Sequence, residues 1–189
     1  MKKNLTIDLA IISVILVAAM SRLIPHWPNF TPIMAIALVG GATLSSRWLS
    51  VLVPLVAMAL SDLALGAIMG SGWALHGTQF VVYASVAAIS ALGMTMRSSS
   101  AVRTTLLGGT IAGVGFFLVT NFAVWFSGTM YPHTVEGLMA CYAAGLAFYR
   151  ESGNFLLNGI VSTWLFSALM FAVAYAVGRR TTHTQAVRS

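Results

Sequence analysis

In 189 residues the chain has one cysteine, four acidic residues and no lysine beyond position 3. The lone thiol, Cys141, excludes an intrachain disulfide and any cysteine-only metal cluster. With lysine confined to Lys2 and Lys3, no Gly-x-x-x-x-Gly-Lys-Ser/Thr loop exists, so the chain is not its own ATPase. The acids are Asp8, Asp62, Glu136 and Glu151, too few to argue a paired-carboxylate or Ser/His/Asp arrangement. Nothing asks for an enzyme, and none is expected.

What the chain does have is apolar surface. Residues of hydrophobic type make up 58% and charged ones 7%, and the mean hydropathy is +0.88. A soluble domain of this length needs more charge to cover its exterior, so the class is a polytopic membrane protein with the lipid bilayer as its solvent. The net charge of +6 is spread as ones and twos at the ends of apolar segments. That is a topology signal and no phosphate-binding patch, and no nucleic-acid partner is expected.

Six segments have the apolar character of membrane spans: Leu5 to Ile24, Thr31 to Leu44, Trp48 to Met69, Gln79 to Met96, Thr104 to Phe126 and Asn154 to Gly178. Lys2 and Lys3 ahead of Leu5 to Val17 resemble a signal peptide, but the apolar run continues to Ile24, which makes it a first helix. Asp8 suits the positive end of that helix's dipole. The thirteen residues Gly137 to Tyr149 are too short to cross and read as an interfacial or re-entrant helix. Six crossings place Lys2, Lys3, Arg47, Arg97, Arg103, Arg179, Arg180 and Arg188 on one side, eight of the ten basic residues. The expected fold is therefore an all-α bundle of six transmembrane helices plus a short interfacial helix, both termini cytoplasmic, in a bacterial inner membrane. Residues 1–178 form one domain and 179–189 a polar, disordered cytoplasmic tail. Within the spans, Gly109/Gly113, Ala84/Ala88, Ala168/Ala172 and Ala172/Ala176 are small pairs four apart that let helices approach closely.

The external connections carry the chemistry. His26, His76 and His133 fall there with Trp27, Phe30, Trp73, Tyr131 and Tyr149, and the prolines of Arg22 to Pro32 hold His26, Trp27, Asn29 and Phe30 outward. Three imidazoles on one side suit a transition metal ion or an axial ligand to a metal-centred cofactor; equally, each suits a bond to a loop carbonyl. Asp62 lies about two turns inside the outer end of the third span, where a carboxylate needs a partner or a task. Arg22 is its candidate partner, and two roles are open: an ion pair that fixes packing, or contact with a ligand. Asn121 and Asn158 either cross-link helices or face a cavity. Tyr83 in the fourth span and Tyr142 on the short helix complete the candidate ligand-binding set. Cys141 falls on neither stripe of the short helix, that of Leu138, Tyr142, Leu146 and Tyr149 or that of Ala140, Ala144 and Ala147; it is a packing thiol or a soft ligand.

Three motifs, Arg22 to Pro32, Ser61-Asp62-Leu-x-Leu-Gly66, and Tyr131-Pro132-x-Thr134-x-x-Gly137-Leu138-x-x-Cys141-Tyr142, resemble a family of small bacterial six-helix membrane proteins of unassigned function. That family is similar to the substrate-binding S components of energy-coupling-factor (ECF) vitamin transporters, in particular the BtuM-type predicted cobalamin transporters. The resemblance implies a cavity open to the outside, closed by the loops after spans one, three and five, and taking up a vitamin-like small molecule such as a corrinoid. It implies no cofactor of the protein's own. His76 or Cys141 would then ligate cobalt, while Trp27, Phe30, Trp73 and Tyr131 cover the ring. Leu5 to Ile24 lacks a clear Ala-x-x-x-Ala, so the implied ECF-type energising module stands open against solitary action.

Overall fold

The computed structural model describes residues 5–70, 77–147 and 154–187. All regular structure among them is helical, with no strand: α1 (Leu5–Met20, extended by a 3-10 turn Ser21–Leu23), α2 (Ile33–Thr43), α3 (Arg47–Met69), α4 (Gln79–Thr95), α5 (Ala101–Ser127), α6 (Val135–Ala147) and α7 (Phe155–Val187). By length and composition three of these can cross a membrane, Arg47–Met69, Ala101–Ser127 and Phe155–Val177. The polar stretch after Gly178, expected to be disordered, continues α7 as helix to Val187.

The outward and inward faces are reversed from those of a soluble bundle. On α7, Leu157, Val161, Leu165, Leu169 and Val173 recur every fourth residue and are exposed, while Ser162, Thr163 and Ser167 are fully buried. The same inversion runs along α3, with Leu52, Val56, Leu60 and Leu63 outward and Ser50, Ser61 and Asp62 inward. An apolar exterior with hydroxyls turned inward is the arrangement lipid demands, since hydroxyls bond helix to helix there and leucine costs nothing outside.

The centre of the bundle is α2, which touches α1, α3, α4, α5 and α7. All nine residues from Ile33 to Gly41 are buried. A helix apolar on every face, as this one is, belongs inside. Its 11 residues span roughly 16 Å at 1.5 Å per residue, about half a bilayer core. The expected short second span is thus a buried central rod with space left over its N-terminal end.

Two glycines bring α4 onto this rod. A Cβ at Gly93 would lie 2.2 Å from the Leu38 carbonyl oxygen, and one at Gly41 would lie 2.2 Å from that of Ser90. Neither glycine stands among the expected small pairs. Of those, Gly109 and Gly113 do set the crossing of α5 on α7, against Trp164 and Ile160. Ala84 and Ala88 correct the expectation: they are exposed, and they line an apolar groove between α4 and α5. Ala168, Ala172 and Ala176 likewise face outward. A small side chain outside costs nothing in lipid, so the spacing alone does not mark a contact.

At the C-terminal end of α2 one guanidinium ties several acceptors together. Arg97 Nε donates to the Gly41 carbonyl at 3.1 Å, and its Nη2 to Leu44 O and Ser50 Oγ, both at 2.9 Å. A cation on the last carbonyls of a helix satisfies orphan acceptors and opposes the negative end of the dipole. Asp8 is buried beside it and accepts from the backbone N–H of Ser45 at 3.1 Å and from the Ser45 hydroxyl. Both residues read from the sequence as dipole or topology groups therefore fasten the α2–α3 turn. Within α5, residues 104–108 form a π turn, and the Leu106 carbonyl accepts from Trp164 Nε1 at 3.1 Å.

The short helix α6 folds back along α5. Its buried residues are Gly137, Cys141 and Gly145, one every fourth position. Cys141 Sγ donates to Asn121 O at 3.4 Å, Tyr142 Oη to Leu118 O at 3.0 Å, and Gly145 faces Phe117. Position numbers rise on α6 as they fall on α5, so the two form an antiparallel hairpin. Thr134 caps its start by accepting from Gly137 N at 3.1 Å. Glu136 in that first turn is held below the usual carboxylate range by its own backbone N–H and by Thr134.

Candidate functional site

Over the N-terminal end of α2 lies a cavity of about 260 Å³. The segment Pro25–Pro32 shapes it. Pro28 and Asn29 occupy the centre of a turn closed by Phe30 N to Trp27 O at 2.9 Å. Asn29 has φ of +61°, and proline followed by a residue of positive φ is the pattern of a type II turn. Asparagine is among the few residues other than glycine that enter this region at modest cost. The turn is tied to α7, because Asn158 Nδ2 donates to Pro28 O at 3.0 Å and Ser162 Oγ to Asn29 O at 3.3 Å. Phe30 adds edge contacts with Trp27 and Phe166, at centroid distances of 6.1 and 6.3 Å.

The polar part of the wall is Arg22, Asn29, Thr31 and Thr120; Ile33, Met34, Met58, Val82 and Phe116 make the apolar part. Arg22 is placed by Asp62. Its Nη1 lies 2.6 Å from Asp62 Oδ1 and 2.6 Å from Ser61 Oγ, with side chains 17% and 6% exposed for Arg22 and Asp62. The other carboxylate oxygen, Oδ2, accepts from Gln79 Nε2 at 2.6 Å and Tyr83 Oη at 3.0 Å. Asp62 therefore holds three donors from two elements, the turn after α1 and the helix α4. Arg22 uses one of its three nitrogens and borders the cavity.

Of the candidate residues, the structure brings Arg22, Asn29, Asp62 and Tyr83 together, with Asp62 and Tyr83 behind the wall. His26 is exposed, and its Nδ1 lies 2.7 Å from the carbonyl oxygen of Ile24. His133 is exposed beside Gly128 O at 3.2 Å and meets Trp125 edge-on at 5.6 Å. These two histidines thus have the loop-carbonyl contacts of the simpler reading. Trp27 is 61% exposed and contacts Phe30; Tyr131 is half-buried near the start of α6. Asn121, Cys141 and Tyr142 serve the α5–α6 hairpin and lie outside the cavity wall. Trp73 and His76 lie outside the described residues. No group of three or more His, Cys, Asp or Glu positioned to hold a metal ion occurs among the described residues.

Sequence reasoning did not find Gln79, Thr31, Thr120 or Phe116. Gln79 carries the one signal that was available, an amide at the start of α4 level with a carboxylate that needs donors. Its Oε1 is buried without a partner among the described residues.

Cys141 is 2% exposed, and burial pushes its thiol up from the ordinary range. Maleimide labelling of the folded protein in mild detergent is accordingly expected to be at least roughly tenfold slower than after denaturation in dodecyl sulfate. Equal rates would mean that α6 leaves α5 readily, contrary to the packed Gly137–Cys141–Gly145 face.

One protein-family model, that of a family of unknown function, DUF6580, matches residues 2–186 of the chain. No curated protein and no solved structure matches.

Proposed function

The chain belongs to the DUF6580 family, and from that premise and the site's geometry we propose that it is a membrane-embedded binding or uptake protein for a small molecule. The observation that carries this reading is the cavity of about 260 Å³ over α2, into whose wall an ion pair holds an arginine that spends only one of its three nitrogens on the described residues.

The same reading takes the bundle to cross the bilayer six times. α1, α4 and the buried α2 accompany the three long apolar helices, and the positive residues cluster at the end that holds Arg97 and Asp8. That end is cytoplasmic under the positive-inside rule, both termini with it, and the cavity end faces outward in a bacterial inner membrane. Capture from outside and release inward through rearrangement of the bundle follow as the mode of action, with an ECF-type energising module as the partner if ATP is used. Drug-sized ligands occupy about 300–1,000 Å³, and a corrinoid is larger still. The cavity therefore favours a smaller molecule over the corrinoid that the resemblance implies.

Protein purified in mild detergent is expected to carry a small molecule detectable by native mass spectrometry, and Thr120→Trp, which fills the cavity, is expected to lose it while keeping its helicity. A ligand retained by Thr120→Trp, or no cavity-dependent ligand from a metabolite panel, would overturn this reading. Tight cobalamin binding would restore the larger substrate and require the Pro25–Pro32 segment to move.

A further inference from the structure

We infer that the cavity takes a small molecule with a single carboxylate head and an apolar body, the head met by Arg22 and the first turn of α2. This rests on the binding-protein reading above and names its substrate class.

A guanidinium has five N–H groups. Nη1 is spent on Ser61 and Asp62, whereas Nε and Nη2 make no hydrogen bond to the described residues. The start of α2 adds further donors, since no side chain caps it and the first backbone N–H groups of a helix have no partner within it. Ile33 and Met34, which carry two of those groups, border the cavity together with Arg22. The positive end of the helix dipole and the unspent guanidinium nitrogens therefore meet at one place. Asp62 balances the charge of Arg22 through Nη1, so what the guanidinium offers the cavity is the N–H donors of Nε and Nη2, with the positive end of the α2 dipole beside them.

The rest of the ligand follows from the rest of the wall. Met34, Met58, Val82 and Phe116 offer nothing to the oxygens of a phosphate or sulfate but pack against hydrocarbon. A cation would face Arg22, and a neutral solute would leave charged donors unused. Size is set by volume: 260 Å³ lies just below the range of drug-sized sites, so the ligand is a small one. Phe116 also lines the apolar groove of about 440 Å³ between α4 and α5, so its ring closes the cavity on that side and limits chain length.

The test is titration of the purified protein, in a non-ionic detergent, with butyrate, hexanoate, octanoate and phenylacetate, and with phenylacetamide, phenethylamine and inorganic phosphate as controls. The best acid is expected to bind roughly tenfold or more tightly than the matched amide, as a charge-assisted bond replaces a neutral one. Arg22→Lys keeps a positive charge opposite Asp62 and is expected to lose about tenfold in acid affinity through loss of the planar fork. Should that variant not fold, Thr120→Trp, which fills the cavity, is expected to abolish acid binding with helicity unchanged. Phe116→Ala is expected to move the preferred acid to a longer chain.

Acid and amide binding alike, or acid affinity indifferent to Arg22→Lys, would overturn the carboxylate assignment while leaving a small-molecule cavity in place. Phosphate binding as tightly as the best acid would overturn the apolar body. If none of the acids binds, the inference fails; if the purified protein also holds no cavity-dependent ligand, the binding-protein reading fails with it.

Discussion

Replacing Gly93 with alanine is expected to lower stability by about 3 kcal/mol or more, the upper part of the range for overpacking a close-packed interior. The added methyl would sit 2.2 Å from Leu38 O and 3.0 Å from Gly41 Cα, both backbone atoms of the central helix. No rotamer change relieves a clash with backbone, so α2 and α4 must separate. Separation spreads, since α2 also touches α1, α3, α5 and α7. In a domain of this size the loss reads as a fall of roughly 6–12 °C in melting temperature. Gly41→Ala opens the same gap from the other side, so the double variant is expected to cost less than the two single losses added. Gly115→Ala is the control: nothing lies within 4 Å of its Cβ position, and in a helix alanine is the better residue by about 1 kcal/mol. Thermal unfolding followed by circular dichroism in one detergent measures all four. A Gly93→Ala protein as stable as Gly115→Ala would mean that the α2–α4 contact is not what closes the bundle.

That contact shows where sequence stops being informative. Helix positions follow from apolar runs, and those expected at Trp48 to Met69 and Thr104 to Phe126 match α3 and α5 closely because nothing else competes for such segments in lipid. The pairing of Arg22 with Asp62 was legible for a related reason: charges at membrane depth are so few that each narrows the other's choices. Which helix faces which is another matter. Small residues four apart occur on α4, α5 and α7, yet only the α5 set meets a neighbouring helix. The tightest approach uses single glycines on two helices, a pattern with no period to detect. Cys141 shows the same limit, since the stripe that buries it includes Gly137 and Gly145, residues without side chains to signal a face. The cavity itself is a consequence of length: because α2 stops at 11 residues, a loop rather than a helix covers its N-terminal end. The proline-rich segment announced a shaped loop, while Thr31, Thr120 and Phe116 needed the packing of α2 against α5 before they could be placed.

Asp62→Asn is expected to be the most damaging change at the site itself. It removes the one carboxylate on Arg22 and leaves a guanidinium, 17% exposed, without a counter-charge. Breaking a buried pair in this way costs about 3–5 kcal/mol, and contact with the cavity places this case toward the lower figure. Arg22→Met is expected to cost less, because Asp62 still holds Gln79 Nε2 and Tyr83 Oη as donors. The double variant Arg22→Met/Asp62→Leu removes both charges, and its loss is expected to fall short of the summed single losses by at least about 1.5 kcal/mol. Stability alone would then report the pair as a packing device. Binding separates the second role: the double variant regains fold without regaining affinity for a carboxylate, since the guanidinium is gone. A double variant that binds as the native protein does would assign Arg22 wholly to packing and leave the helix α2 terminus as the anion's only partner. Additive losses would mean instead that Ser61, Gln79 and Tyr83 hold the two side chains independently of each other.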